Sequence, residues 1–169
     1  MAKCMTFPPM QPRAASTDRS TACSPAARPS ATAARSYDKP FRSDLIEVPL
    51  VAKGDRAGYF ELEYKVAMKA GQSFVYSWEV DGAAGVPIYA DLHAETPKPE
   101  ARVIEFKQED ALKSHGSLVA PADGDYGWYW LNKSTGPVTV RLRLSGFYEL
   151  IPAGAPGNKA GLMPSPPQD

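Results

Sequence analysis

Asp91 and His93 stand two residues apart, and on an extended strand that spacing puts a carboxylate and an imidazole on one side of the chain. Glu79, Asp81 and Glu95 flank the same stretch, so hard oxygen ligands and one imidazole gather where two expected strands leave the fold. Such a set suits a metal ion, calcium when carboxylates dominate and zinc when a second imidazole joins. His115, the other histidine, has no ligand-like spacing to His93, and the competing reading is a set of acidic loop ends in water. The expectation is no metal and no other cofactor.

Tyr126, Trp128, Tyr129 and Trp130, with Tyr76 and Trp78, form a second group, and rings exposed on a sheet stack on sugar faces. Alternation places Trp128 and Trp130 on one face of their strand, where leaving either ring in water would forgo about 1.5–3 kcal/mol of burial. The core is therefore the expected place of Trp78, Trp128 and Trp130, while Tyr126 and Tyr129 divide between core and rim. Asp91, His93, Tyr126, Trp128, Trp130 and Asn132 are the candidate binding residues.

Catalytic patterns are missing from the sequence. It contains no G-x-S-x-G elbow, no H-E-x-x-H, no phosphate loop and no dinucleotide fingerprint, and neither Cys4 nor Cys23 falls in the part expected to fold. Glu61 with Glu63 or Glu105 offers paired carboxylates of the kind that hydrolyse glycosides, but carboxylates are common on the wet face of a strand. The expectation is a protein that is not an enzyme.

The elements that must position these residues are legible from residue 41 onward as short alternating runs between Gly, Pro and Asp. Expected strands span 44–51, 59–66, 73–80, 86–92, 102–107, 117–120, 127–132 and 138–145. In the last, Val138, Val140, Leu142 and Leu144 alternate with Thr139, Arg141, Arg143 and Ser145, and the turn before it reads Lys133-Ser134-Thr135-Gly136-Pro137. The link 68–72, with Gly71 free to take positive φ, is expected to join the second and third strands as a paired hairpin. Residues 110–114 are the one stretch expected to form a helical turn. Eight strands at this spacing give an all-β, single antiparallel β-sandwich, jelly-roll or GOLD-like, over residues 41–150.

Both ends differ from this middle. Residues 1–40, rich in Ala, Ser, Thr, Pro and Arg, carry a net +4 against −4 for the remainder of the 169-residue chain, and read as a disordered basic leader. Residues 151–169 are Pro- and Gly-rich and read as a disordered tail. No apolar run has the length of a signal peptide core or of the ~20 residues of a membrane helix. A mildly acidic folded part argues against nucleic acid as a partner. Arg141 and Arg143, with Lys65 and Lys133, outline a positive strip suited to an acidic partner or to keeping strand edges apart.

The runs FRSDLIEVPL at 41–50 and ELEYKVAMKAGQSFVYSWEVDG at 61–82, the Asp91-x-His93 pair, and GSLVAPADGDYGWYWLNKSTGPVTVRLRLSGFYEL at 116–150 together resemble the uncharacterised bacterial proteins labelled "transmembrane anchor protein". The skeleton Leu118, Gly124, Tyr126, Asn132 and Val138 is more distantly similar to the last strands of the GOLD domain, a β-sandwich of secretory cargo receptors. The first resemblance implies an extracytoplasmic sandwich held near the inner membrane by an N-terminal helix, with no established activity. This chain departs from it by lacking that helix and by having Tyr126-Gly127-Trp128 where the pattern commonly has His-Gly-Trp. A metal shared by that imidazole and the one matching His93 would have lost half its ligands here, leaving Tyr126 to hydrogen-bond Asp91 or His93 as a latch. The functional expectation is a non-catalytic, envelope-associated binding or scaffolding module with a protein partner, periplasmic or close to the inner membrane. The alternative is a small-ligand binder for carbohydrate or a metal ion.

Overall fold

A computed structural model describes residues 36–166 apart from 83, 84, 98, 100 and 101. Nearly all of the expected leader, with Cys4 and Cys23, lies outside the described residues. Nine strands follow one another: β1 Arg42–Leu50, β2 Glu61–Met68, β3 Ser73–Asp81, β4 Ile88–Glu95, β5 Val103–Ala111, β6 Lys113–Val119, β7 Gly124–Leu131, β8 Val138–Gly146 and β9 Glu149–Leu150. They form two antiparallel sheets, a four-stranded one in the order β1-β8-β3-β6 and a five-stranded one in the order β5-β4-β7-β2-β9. The chain is an all-β sandwich. No helix among the described residues is long and apolar enough to cross a membrane.

Alternation decides which face of each strand is dry. Ile46, Val48 and Leu50 on β1, Phe74, Tyr76 and Trp78 on β3, and Val138, Val140, Leu142 and Leu144 on β8 point inward from one sheet. They meet Leu62, Tyr64 and Val66 on β2, Leu92 on β4, and Tyr126, Trp128 and Trp130 on β7. Trp128 and Trp130 stack with ring centres 5.8 Å apart, and Tyr76 meets Trp128 edge-on at 4.9 Å. The tryptophans are spent on the core, as their alternation requires.

Strand pairing departs from the sequence expectation in a systematic way. β2 and β3 do not pair as a hairpin; the link between them carries the chain from one sheet to the other. Gly71 at φ 83° and Gln72 shape that corner, with Gly71 N donating to Ala120 O and Ala120 N to Gln72 O. β7 and β8 likewise lie in opposite sheets. Both members of each couple carry a large apolar face, and two such faces are buried by opposing each other across a sandwich as well as by lying side by side. A periodic pattern does not separate those arrangements.

Two further corrections concern local structure. Residues 110–114 form no helical turn; β5 runs to Ala111 and β6 starts at Lys113, so one strand-like stretch changes sheet around Leu112. Residues 151–166, expected to be a disordered tail, are folded onto the sandwich as a strap. β9 pairs with Val66 and Ala67, Gly157 O accepts from Lys65 N, and Ser165 exchanges both backbone hydrogen bonds with Leu45. The strap thus runs from the edge of one sheet to the edge of the other. Asn158, 2% exposed, holds it together by donating to Ile151 O and Leu162 O and accepting from Leu162 N. The Pro/Gly content that reads as disorder instead permits a tight loop, with Gly157 at φ 83° in a place where a Cβ would press on Ile151 Cδ1.

Candidate functional site

The charged chemistry of the molecule concentrates on the outer face of β5-β4-β7-β2. Glu61 and Glu63 on β2, Asp125 on β7, Asp91 and Glu95 on β4, and Glu105 and Asp110 on β5 stand there because their neighbours in sequence face the core. Lys65, Lys133 and Lys159 oppose these seven carboxylates, with His93 as a further cation when protonated.

At the centre of this face Lys65, Gly127 and His93 are cross-strand partners in one row. A Cβ on Gly127 would run into the Tyr64 carbonyl and lie 2.7 Å from Lys65 Cα, so glycine is what lets the lysine stem lie flat across β7. Lys65 Nζ reaches ion-pair distance of Glu63 Oε1 at 2.7 Å and Glu95 Oε1 at 3.1 Å, with its side chain 1% exposed under the strap. His93 Nε2 lies 3.2 Å from the same Glu63 oxygen, and His93 Nδ1 lies 3.2 Å from Asp91 O. Glu63 therefore takes two cationic partners on one oxygen.

The electrostatics follow from these contacts. The hydrogen bond from His93, reinforced by Lys65, holds the Glu63 carboxyl down to about 2 against the opposing cost of burial. The same hydrogen bond raises the His93 pKa. Asp125 goes the other way: burial raises its pKa, and Glu95 and Glu63 add to the rise while Lys65 opposes it. A carboxyl held near 2 is ionised at neutral pH and donates no proton, which removes Glu63 from the acid role in a glycosidase pair.

The sequence-derived candidates separate in the fold. Asp91 and His93 do share one side of β4, with Nδ1 3.7 Å from Asp91 Oδ1. Glu79 and Asp81 sit on β3 in the opposite sheet, so the expected cluster of five splits. The group that converges is Glu63, His93 and Glu95, whose ligand atoms lie within 4.8 Å of one another. Lys65 Nζ stands between the two carboxylates, so this group carries its own cation. His115 is exposed on β6, in the opposite sheet from His93.

Tyr126, Trp128 and Trp130 are 0%, 2% and 0% exposed, and no sugar reaches their rings. Tyr126 forms no latch with Asp91 or His93. It points into the core, and its hydroxyl donates to Ala122 O at 2.6 Å. Tyr129, on the opposite side of β7, faces out and donates to Glu61 Oε2. Asn132, fully buried, donates to Val51 O and Gly136 O and accepts from Ser134 N and Oγ, so it organises the β7–β8 turn. Of the expected positive strip, Arg141 and Arg143 do share the outer face of β8, but Lys65 is buried on the other sheet and Lys133 pairs with Asp110 there.

Sequence reasoning missed two sets of residues. Lys65 read as an ordinary wet-face lysine, since nothing in its own strand shows that residues 151–161 will cover it. Asp44 continues the inward side of β1 as a buried carboxylate, accepting from Arg42 Nε at 2.7 Å and Tyr148 Oη at 2.6 Å. Burial works against its charge, and the hydrogen bonds from Arg42 and Tyr148 outweigh it, leaving the pKa below the usual value. Its even spacing with Ile46, Val48 and Leu50 was the available signal.

No family model matches the chain, and no curated protein does. Among solved structures, the crystal structure of PliG from Aeromonas hydrophila, a periplasmic lysozyme inhibitor of g-type lysozyme, is similar at 17% identity and a TM-score of 0.41. The match covers 62% of this chain and 86% of that one.

Proposed function

We propose that the chain is a non-catalytic binding or scaffolding module that acts through protein contacts. The observation that carries this reading is how the polar groups of the described residues are used. Asn132 and Asp44 hold turns and strand ends, the convergent His93–Glu63–Glu95 group is closed by Lys65, and the large rings fill the core. What the molecule presents outward is extended sheet surface. A cell-envelope location, periplasmic or close to the inner membrane, is part of the proposal and rests on the sequence resemblance alone. The strand orders β1-β8-β3-β6 and β2-β7-β4-β5 support the jelly-roll form of the sandwich. Quantitative affinity capture on the immobilised full chain from an envelope extract tests the reading: one or a few proteins should be retained saturably and be competed by free chain. Absence of any saturable protein, or turnover of a glycan or ester substrate that Glu61→Gln abolishes, would overturn it.

A further inference from the structure

The protein-contact reading leaves the partner's chemistry open, and the inference that follows rests on that reading. We propose that the partner presents a cationic surface, which docks on the outer face of β5-β4-β7-β2 and seats one arginine or lysine side chain in the cleft beside Tyr129.

Charge complementarity selects this face and this partner. Seven carboxylates stand there against three lysines, Lys65, Lys133 and Lys159, whereas the outer face of the other sheet sets Glu47, Glu79 and Asp81 against Lys113, Arg141 and Arg143 and is balanced. The residues after 40 carry a net −4, and since the other sheet's outer face is balanced, this excess falls on one face. Part of it is neutralised internally by Lys65 on Glu63 and Glu95, and by Lys133 on Asp110 at 2.6 Å. Glu105 has no ion pair among the described residues. A face with such an excess steers oppositely charged partners and repels a second copy of itself.

The face also carries rings and a recess. Tyr89 and Tyr129 meet edge-on with centroids 6.4 Å apart, and tyrosine is a residue that interfaces favour. Next to them a cleft of about 320 Å3 opens between Tyr59 and Tyr129, lined by the carboxylates of Glu61 and Glu63 and by one cation, Lys159. Tyr59 is 57% exposed there. Aromatic faces beside carboxylates suit a guanidinium or ammonium group, by cation–π attraction and ion pairing together. Lys133 already sits 5.1 Å over the Tyr89 ring, an internal instance of that contact on the same face.

The test uses the full chain and a fluorescein-labelled deca-arginine peptide, followed by anisotropy from low to about 150 mM salt, where surface attraction is screened beyond about 8 Å. Binding should weaken steeply with salt. The triple variant Glu61→Gln/Glu105→Gln/Asp110→Asn should lose about tenfold in affinity, and Tyr129→Ala should also weaken it. Glu47→Gln/Glu79→Gln on the opposite face should leave affinity unchanged. Equal losses from both charge-neutralised variants, or no peptide binding at low salt, would overturn the inference. The substituted carboxylates are exposed, so circular dichroism should show folded variants. The capture experiment keeps the two claims apart: a saturable partner held equally by the triple variant preserves the protein-contact reading and removes this face from it.

Discussion

The two outer faces of the sandwich are written by the same alternation and have different physics. On the four-stranded sheet Arg141 spans Glu47 at 3.3 Å and Asp81 at 3.2 Å, with all three side chains at least 44% exposed. On the five-stranded sheet Lys65 and His93 have side chains 1% and 9% exposed, and both converge on Glu63. Ion pairs in water contribute about 0–1 kcal/mol, whereas removing one partner of a covered pair leaves a charge without its solvent. On each face one basic side chain bridges two carboxylates, and the cover differs. The strap of residues 151–161 lies on the lysine stem of one face, while Arg141 and Arg143 stay in water on the other.

The largest expected break of this asymmetry is Gly127→Ala. The added Cβ meets the backbone of Tyr64 and Lys65, so strands must part, and urea unfolding should show a loss of about 3 kcal/mol. Asn158→Ala attacks the cover itself. Losing three hydrogen bonds in a buried loop should cost about 2 kcal/mol, and hydrogen exchange should speed up at the amides of Lys65 and Leu45, which the strap protects. Lys65→Met should cost about 1–2 kcal/mol, less than a fully buried pair would, because Glu63 and Glu95 keep some access to water. The matching change Arg141→Met on the other face should stay within about 0.5 kcal/mol, and equal effects from the two would erase the contrast.

The pH dependence sharpens the same point. Glu63 is depressed from 4.5 to about 2, so its contribution to stability is present above pH 4.5 and is lost as pH falls from there towards 2. His93 is raised from 6.5, so its contribution is present below that value and is lost as pH rises through the raised one. Glu63→Gln should flatten both limbs of the thermal midpoint profile relative to the unsubstituted chain. Asp44 adds to the acid limb independently and should persist in the variant. An unchanged profile in Glu63→Gln would mean that the His93–Glu63–Lys65 contacts do not couple to folding.

Much of the fold was legible because burial is a strong and local constraint. Val138, Val140, Leu142 and Leu144, and Phe74, Tyr76 and Trp78, could face only one way, and the structure puts them there. The pairing of Asp91 with His93 on one side of β4 was legible for the same reason. Partners from distant strands were not. Glu95 shares β4 with His93, but Glu63 joins them only because β2, β7 and β4 lie side by side, and β7 follows β4 by two intervening strands in the chain. The strap was misread because Pro and Gly report backbone freedom, which a mobile tail and a tight folded loop both use.

By itself the sequence determined an all-β chain, the dry and wet sides of its strands, and the fate of Trp78, Trp128 and Trp130, since period-two alternation and the burial energy of large rings act within a single strand. Only the tertiary structure decided which strands are neighbours, that residues 151–166 close one side of the sandwich, and that one of several wet-face lysines becomes a buried cation shared by two carboxylates. Those outcomes depend on what arrives from elsewhere in the chain to cover or to pair with a residue, and no residue carries that information in its own surroundings.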